Sequence, residues 1–193
     1  MAIQNPILLD LPDRIETERL ILRVPRAGDG LLVLPSVRAS IDTLKRWMPW
    51  ATDAYGQTDA EEWCRRSAAK FILREELQFL ILRRSDDQHI GTLGGFNFDW
   101  KIASGEIGYW LRDDCAGHGY MTEAVNAVRD LLITQVGLQR IEIRCDDRNV
   151  QSYRVAERLG FVHEATLRRE ALGTDGAHRD TRVYAFICDR SEQ

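Results

Sequence analysis

The chain has 193 residues and a formal net charge of −4, with 44% hydrophobic and 29% charged residues. This length and balance are typical of a globular domain with one core, and without a basic excess they give no indication of nucleic-acid binding. No apolar run approaches the length of a membrane span and no signal peptide is recognisable, so we expect a cytoplasmic protein that contacts no membrane.

Hydrophobic periodicity predicts strands and helices along the first half of the chain. Thr58, with Glu61 three residues later, has the spacing of a capping box at the start of the longest of these helices. The polar residues 85–88 separate the two strands of a predicted hairpin. The expected elements are a strand at 19–24, helices at 31–40, at 42–47 and from 58 to about 76, and hairpin strands at 77–83 and 90–98.

The second half continues with a strand, a glycine-containing turn and a strongly amphipathic helix. Asn149 has the position of an N-cap for a further short helix that ends at Leu159, and Gly160 is typical of a C-terminal stop. The expected elements are strands at 105–112, 141–145, 162–171 and 182–187, and helices at 120–136 and 150–159. No repeat or linker interrupts this order, so we expect a single domain over 1–193 with a core spanning about 14–190.

Four cysteines occur in the chain, and they are widely separated. Zinc sites and dithiol redox motifs need close pairs, which this spacing does not provide. We therefore expect reduced thiols and no bound metal at Cys64, Cys115, Cys145 and Cys188.

The turn at 115–119 has the composition of an anion-binding site. Gly117 and Gly119 allow the backbone to adopt positive φ values and carry no Cβ that would block a ligand, so consecutive N–H groups can converge on a phosphate. The positive end of the following helix dipole adds to this attraction. Taken alone, the two glycines are equally consistent with a tight strand-to-helix connection that binds nothing.

Five segments, in this order and spacing, carry a family resemblance. They are 15–23 (IETERLILR), 47–50 (WMPW), 106–111 (EIGYWL), 115–124 (CAGHGYMTEA) and 149–161 (NVQSYRVAERLGF). Together they resemble the GNAT superfamily of acyl-CoA-dependent N-acetyltransferases, in particular its RimJ/RimL-like branch of ribosomal-protein N-terminal acetyltransferases. The resemblance implies an α/β, GNAT-like acyl-CoA N-acyltransferase fold, with a strongly twisted mixed β-sheet flanked by helices on both faces.

The resemblance also implies acetyl-CoA as the co-substrate, with its pyrophosphate on the amides of the turn and its pantetheine arm beside the preceding strand. The family usually has Gln or Arg where Ala116 stands and Gly or Ala where Met121 stands, but neither departure removes a backbone donor. His118 we assign to the turn surface near the phosphates rather than to catalysis. If Arg112 does not contact CoA, it is an exposed residue at the end of a strand. If Asn149 does not contact CoA, it serves only as a helix cap. The expected cofactor-binding residues are Leu111, Arg112, Ala116, Gly117, His118, Gly119, Tyr120, Met121, Asn149 and Ser152.

Acetyl transfer from a thioester to an amine benefits from a proton for the departing thiolate. Many family members supply it from a Tyr at the position that is Ala156 here. The resemblance to the RimL-like branch shifts this role to Ser152, with Tyr153 as the alternative. Ser152 is otherwise an ordinary first-turn residue of a helix.

The attacking amine must also be neutral, which requires a base. Glu106 is the expected one, because a carboxylate in a partly apolar cleft has a raised pKa and can take the amine proton directly or through water. A strand-surface position or a structural pairing with arginine is the alternative for Glu106. Asp146 and Asp147 are weaker candidates, since acidic residues before an N-cap also favour the helix dipole.

Two aromatic segments, 47–55 and 96–100, are expected to wall the acceptor pocket, although each is also compatible with plain core. From these segments we predict Trp47, Trp50 and Asn97 as substrate-binding residues. The resemblance implies direct attack of a primary amine on acetyl-CoA in a ternary complex.

The expected acceptor is a protein or peptide N-terminal α-amine, of the kind that ribosomal proteins present. A small-molecule amine, such as a polyamine, an amino acid or an antibiotic-like amine, is the alternative. Ala156 keeps a further class open, a non-catalytic acyl-CoA-binding regulatory domain. A longer acyl group and a homodimer also stay open.

Overall fold

A mixed sheet of eight strands crosses the computed structural model, which describes residues 3–188. The strands are Arg14–Glu16 (β1), Leu20–Arg23 (β2), Leu77–Arg83 (β3), Gln88–Asp99 (β4), Ser104–Leu111 (β5), Arg140–Asp146 (β6), Val162–Leu172 (β7) and His178–Ile187 (β8). Their order is β1-β2-β3-β4-β5-β6-β8-β7, and all neighbours are antiparallel except β5 and β6. The predicted domain begins before residue 3, and both the domain and its predicted core end after residue 188. These ends lie outside the described residues.

Helices cover both faces of this sheet, as predicted. They are Gly30–Ala39 (α1), Ile41–Trp47 (α2), Gln57–Leu73 (α3), Tyr120–Leu131 (α4), which continues as a π-helix over Leu132–Val136, and Val150–Arg158 (α5). Alternate side chains of β3 enter two different cores: Phe79 and Ile81 pack with α4, whereas Leu80 and Leu82 pack with α1 and α3. Within the described part of the chain, no helix is long and apolar enough to cross a membrane.

The two halves of the sheet separate between β5 and β6. These parallel strands pair only over Ser104–Glu106 and 140–142. Beyond that point β5 stays paired with β4 as far as Leu111, and β6 stays paired with β8 as far as Asp146. The inner edges of 107–111 and 143–146 therefore face each other across an open wedge, and their backbone groups are available to a ligand.

The capping box predicted at Thr58 and Glu61 is wrong. Helix α3 begins one residue earlier than Thr58, and the N–H of Gly56 donates to Asp59 Oδ2 at 2.8 Å. The carboxylate of Glu61 instead accepts from the N–H groups of Gly28 and Gly30, at 2.9 and 3.2 Å, at the start of α1. Glu61 therefore caps a neighbouring helix rather than its own.

Candidate active site

A cleft of about 1040 Å³ opens at the wedge and reaches both sides of the sheet. One part, which we call the turn half, is lined by the turn before α4, the inner edges of β5 and β6, and the start of α5. The other part, the aromatic half, is lined by α2, α3 and the segment between them. Residues 107–111 border both parts, so the wedge joins two otherwise separate surfaces.

The turn has the backbone geometry expected of an anion cradle. Gly117 and Gly119 adopt φ values of 79° and 81°, and a Cβ at Gly117 would meet nothing within 4 Å. The glycines are therefore required by backbone conformation and not by tight packing. The first α4 hydrogen bond runs from the N–H of Glu123 to Gly119 O at 3.0 Å, which leaves the earlier amides of this helix without an intrahelical acceptor. Met121 places its side chain in the core, so its size does not obstruct these amides.

A polar cluster of Thr17, Arg19 and Glu123 is hydrogen-bonded to the backbone of the turn. Glu123 accepts from Thr17 Oγ1 at 2.6 Å and from Arg19 Nε at 2.7 Å, and Arg19 Nη1 donates to His118 O at 2.9 Å. Burial opposes ionisation of Glu123, but the hydrogen bonds from Thr17 and Arg19 outweigh it and lower its pKa. Because Arg19 compensates this charge, the cluster orients the turn without repelling an anion. The sequence analysis gave these residues no role.

Asn149 and Ser152 line the cleft at the start of α5. Asn149 Oδ1 accepts from the N–H of Ser152 at 3.2 Å, which confirms the N-cap. From the opposite side of the wedge, the Tyr109 hydroxyl donates to Ser152 O at 2.9 Å, and the Ser152 hydroxyl donates to Tyr109 Oη at 3.4 Å. Ala156 is fully buried. Tyr109, which the sequence analysis did not single out, therefore shares the position of the candidate acid.

Aromatic rings dominate the aromatic half. The Trp50 ring lies 5.4 Å from Tyr55 and 6.3 Å from Trp110, between ring centroids, and Trp50 is 41% exposed. Trp47 lines the same region. Phe96 and Gly108 also line the cleft, and a Cβ at Gly108 would lie 2.7 Å from the Phe96 ring, so any larger residue there would have to displace that ring. The arrangement forms a concave apolar surface with an open rim.

Comparison with known proteins places the chain in a family. The family model described as "Acetyltransferase (GNAT) domain" matches residues 19–162. The chain belongs to the GNAT family of acetyltransferases. It is 37% identical over 120 residues to "Probable N-acetyltransferase YjcK" of Bacillus subtilis, and 32% identical over 111 residues to "Ribosomal-protein-serine acetyltransferase" of Escherichia coli. These matches cover 62% and 58% of the chain, and 66% and 60% of the relatives' own lengths.

The fold of this GNAT domain is shared with a solved structure described as "RimL- Ribosomal L7/L12 alpha-N-protein acetyltransferase in complex with Coenzyme A". The TM-score is 0.84 at 21% identity, over 93% of this chain and 98% of that one. The match confirms the predicted GNAT fold. The predicted resemblance to the ribosomal-protein acetyltransferase branch is likewise confirmed by the relatives.

Two of the predicted cofactor residues of this GNAT domain do not line the cleft. The Arg112 guanidinium donates to Asp114 at 3.0 and 2.6 Å, and this pairing raises the pKa of Arg112. His118 is exposed and its ring stacks against Tyr120 with centroids 6.0 Å apart. The remaining predicted cofactor residues line the cleft: Leu111, Ala116, Gly117, Gly119, Tyr120, Met121, Asn149 and Ser152.

The candidate bases of this GNAT domain occupy three different environments. Glu106 lies outside the cleft lining, and its Oε1 accepts from Asn97 Nδ2 at 3.0 Å. Asn97, predicted to bind substrate, lies outside the lining as well. Asp146 lines the cleft, but hydrogen bonds from Arg148 lower its pKa and make it a weaker base. Asp147 is paired with Arg182.

The alternative acid, Tyr153, points away from the cleft. Its ring is stacked on Tyr184 at 6.2 Å, and the Arg182 guanidinium lies 4.3 Å from its centroid. Tyr153 is also absent from the residues that line the cleft. Its position therefore gives no support to a direct role at the thioester.

Proposed function

We propose that this GNAT acetyltransferase moves the acetyl group of acetyl-CoA to a protein or peptide N-terminal α-amine, by direct attack in a ternary complex. The observation that carries the proposal is the continuity of the cleft. A phosphate-binding turn and an aromatic pocket meet at the inner edge of β5, next to Ser152. A donor and an acceptor bound in the two halves would bring their reacting atoms together at the wedge.

The turn half matches the chemistry of coenzyme A. Free amides at the N-terminus of α4 and its dipole favour the pyrophosphate. The unpaired edge of 107–111 offers N–H and C=O groups to the amides of a pantetheine arm. Arg154 and Arg158 stand one helical turn apart on α5 and line the cleft, and their side chains have no hydrogen-bond or ion-pair partner within residues 3–188. Their charge suits a remaining phosphate at the rim.

The aromatic half favours an acceptor that is larger than a small-molecule amine. Trp47 and Trp50 offer apolar contact area, and the exposed rim at Trp50 leaves room for a chain that continues into solvent. The relatives point the same way, since one is named for the serine of a ribosomal protein and the RimL structure for the α-amine of a ribosomal protein. A cytoplasmic location fits such acceptors.

The proposal is tested by thiol release from acetyl-CoA in the presence of a defined amine panel. The panel contains tetrapeptide amides that begin with Ser or Ala, serinamide and spermidine, and the same peptides with an acetylated N-terminus serve as matched controls. We expect the Ser and Ala peptides to release CoA and to gain one acetyl group by mass spectrometry, while the blocked peptides stay inert. The physical reason is that acetylation turns the α-amine into an amide, whose nitrogen lone pair is delocalised and no longer attacks the thioester.

Other results of this panel would contradict the proposal in recognisable ways. Release with spermidine or serinamide alone would assign a small-molecule acceptor. Saturable acetyl-CoA binding in calorimetry, with no release above the blocked peptides, would assign the non-catalytic binding domain that Ala156 leaves open.

A further inference from the structure

Tyr109 is placed between the two separated halves of the sheet. It lies on β5 beyond the last residue that pairs with β6, and its side chain reaches across the wedge to α5. Both Tyr109 and Ser152 line the cleft. The tyrosine hydroxyl donates to Ser152 O at 2.9 Å and accepts from Ser152 Oγ at 3.4 Å. The two hydroxyls thus form a short chain that ends at the cleft.

The backbone of Ser152 is fixed from two directions by this arrangement. Asn149 Oδ1 holds its N–H at 3.2 Å, while Tyr109 Oη holds its carbonyl at 2.9 Å. With both main-chain groups tied, rotation about χ1 is the freedom that remains to the serine hydroxyl. That rotation turns the hydroxyl between Tyr109 and the cleft.

A serine that acts alone is a poor acid for a thiolate. A serine alkoxide is a far stronger base than a thiolate, so complete transfer of the serine proton would run uphill. The Ser152 hydroxyl can instead donate a hydrogen bond to the developing thiolate without giving up its proton. Burial raises the pKa of Tyr109, so its hydroxyl stays protonated and serves Ser152 as a hydrogen-bond partner rather than as a source of protons.

We propose that Tyr109 is a positioning residue that holds Ser152 so that its hydroxyl can turn to the CoA sulfur during acetyl transfer. As the C–S bond breaks, its electron pair goes to sulfur, and the Ser152 Oγ–H donates a hydrogen bond to the developing thiolate. The released thiolate takes its proton from water, so Ser152 and Tyr109 both end the step unchanged. This step rests on the proposed function and on the predicted place of Ser152 at the thiolate.

Single-turnover rates test this role, with the protein in excess over acetyl-CoA and a seryl tetrapeptide amide saturating. Tyr109→Phe should lower the rate roughly 10-fold, less than the full effect of a positioned acid, because the Ser152 carbonyl loses the contact that holds it. Acetyl-CoA affinity in calorimetry should stay unchanged, because no cofactor contact is lost.

A double-mutant cycle separates the positioning of Ser152 from a general structural effect. Tyr109→Phe added to Ser152→Ala should cost no further rate, since without the Ser152 hydroxyl there is nothing for Tyr109 to position. Tyr184→Phe is the matched control: its buried hydroxyl donates to Glu157 Oε1 at 2.9 Å outside the cleft, so its loss should lower stability and leave the rate unchanged.

Additive losses in the cycle, or a Tyr109→Phe protein with the wild-type rate, would overturn the positioning role while acetyl transfer by the wild type still stands. A wild type that acetylates no member of the amine panel would overturn the proposed function first, and the positioning role with it. The two failures are therefore distinguishable before any variant is compared.

Discussion

Glu106, the candidate base, and Asn97, the candidate substrate contact, form one hydrogen-bonded pair. Asn97 follows the last regular β4–β5 pair before a register shift, and it adopts a φ of 51°. This irregularity brings its amide to Glu106 Oε1, at 3.0 Å. The pair lies outside the cleft lining, so a proton from the amine would have to reach Glu106 through water.

Glu106→Gln tests that route while keeping an oxygen for Asn97. If Glu106 accepts the amine proton, we expect kcat to fall roughly 10²-fold or more, with the largest loss at pH values where the acceptor is mainly ammonium. Acetyl-CoA affinity should not change. The measurement is a pH profile of kcat between pH 6 and 9 with the seryl peptide.

Glu142→Gln is the matched control for this profile. Glu142 is the cross-strand partner of Glu106 on β6, and its carboxylate is bonded to Arg140. Its neutralisation should leave the profile unchanged. If wild type and Glu106→Gln have equal kcat values across the whole pH range, Glu106 has only a structural role.

The turn before α4 needs a glycine at position 119 for its backbone conformation, and little surrounds the place where a side chain would stand. Gly119 has a φ of 81°, and a Cβ there would meet only Arg19 Nη2, at 3.4 Å. Gly176, in the β7–β8 turn, has a φ of 75° and nothing within 4 Å of an added Cβ. The two glycines therefore carry the same backbone requirement, but only Gly119 lines the cleft.

Gly119→Val and Gly176→Val form a matched pair of variants that separates backbone strain from loss of the cofactor site. Each should destabilise the protein by about 1–3 kcal/mol, because a β-branched residue is strained at positive φ. Only Gly119→Val should weaken acetyl-CoA binding, by tenfold or more in calorimetry, since it also blocks approach to the amides. Equal affinities in the two folded variants would show that this turn does not hold the cofactor.

Elements with a local signal were predictable from the sequence. The β3–β4 hairpin, the start of α4 at Tyr120 and the Asn149 cap each depend on residues within a few positions. The contact between Arg19 and Glu123 joins residues 104 positions apart and has no local signal. The Glu61 error has the same origin, because a long-range partner took the carboxylate from its own helix end. Strand β1 has only three residues, too few for a periodic pattern.

The wedge follows from the topology of the sheet rather than from any single residue. The resemblance predicted a mixed sheet with helices on both faces, and these are present. It did not indicate the Tyr109–Ser152 contact, which exists because the parallel strands separate after three pairs and bring β5 opposite α5. Side-chain contacts across a wedge depend on the angle between two half-sheets, which hydrophobic periodicity does not encode.

His89 connects the stability of the whole molecule to pH. It is 2% exposed in the core beneath α1 and α3, packs edge-on against Trp110 at 5.8 Å, and neither ring nitrogen makes a hydrogen bond of ordinary geometry within residues 3–188. Burial lowers the pKa of His89 to about 4, with Arg23 and Arg112 contributing, against the opposing effects of the Gly91 backbone and Asp29. The imidazole is therefore neutral in the folded protein at neutral pH.

This shift makes His89 a source of acid sensitivity. The unfolded chain, with an ordinary histidine pKa of about 6.5, binds the proton more readily than the folded one, so stability falls as pH drops from about 6.5 towards 4. His89→Phe keeps a ring against Trp110 and cannot titrate, so wild type should lose roughly 2–3 kcal/mol more than His89→Phe between pH 7.5 and pH 4.5. Urea unfolding followed by tryptophan fluorescence at both pH values measures the difference, in which the carboxylates common to both proteins cancel. Equal losses in the two proteins would mean that His89 is hydrated and titrates normally in the fold.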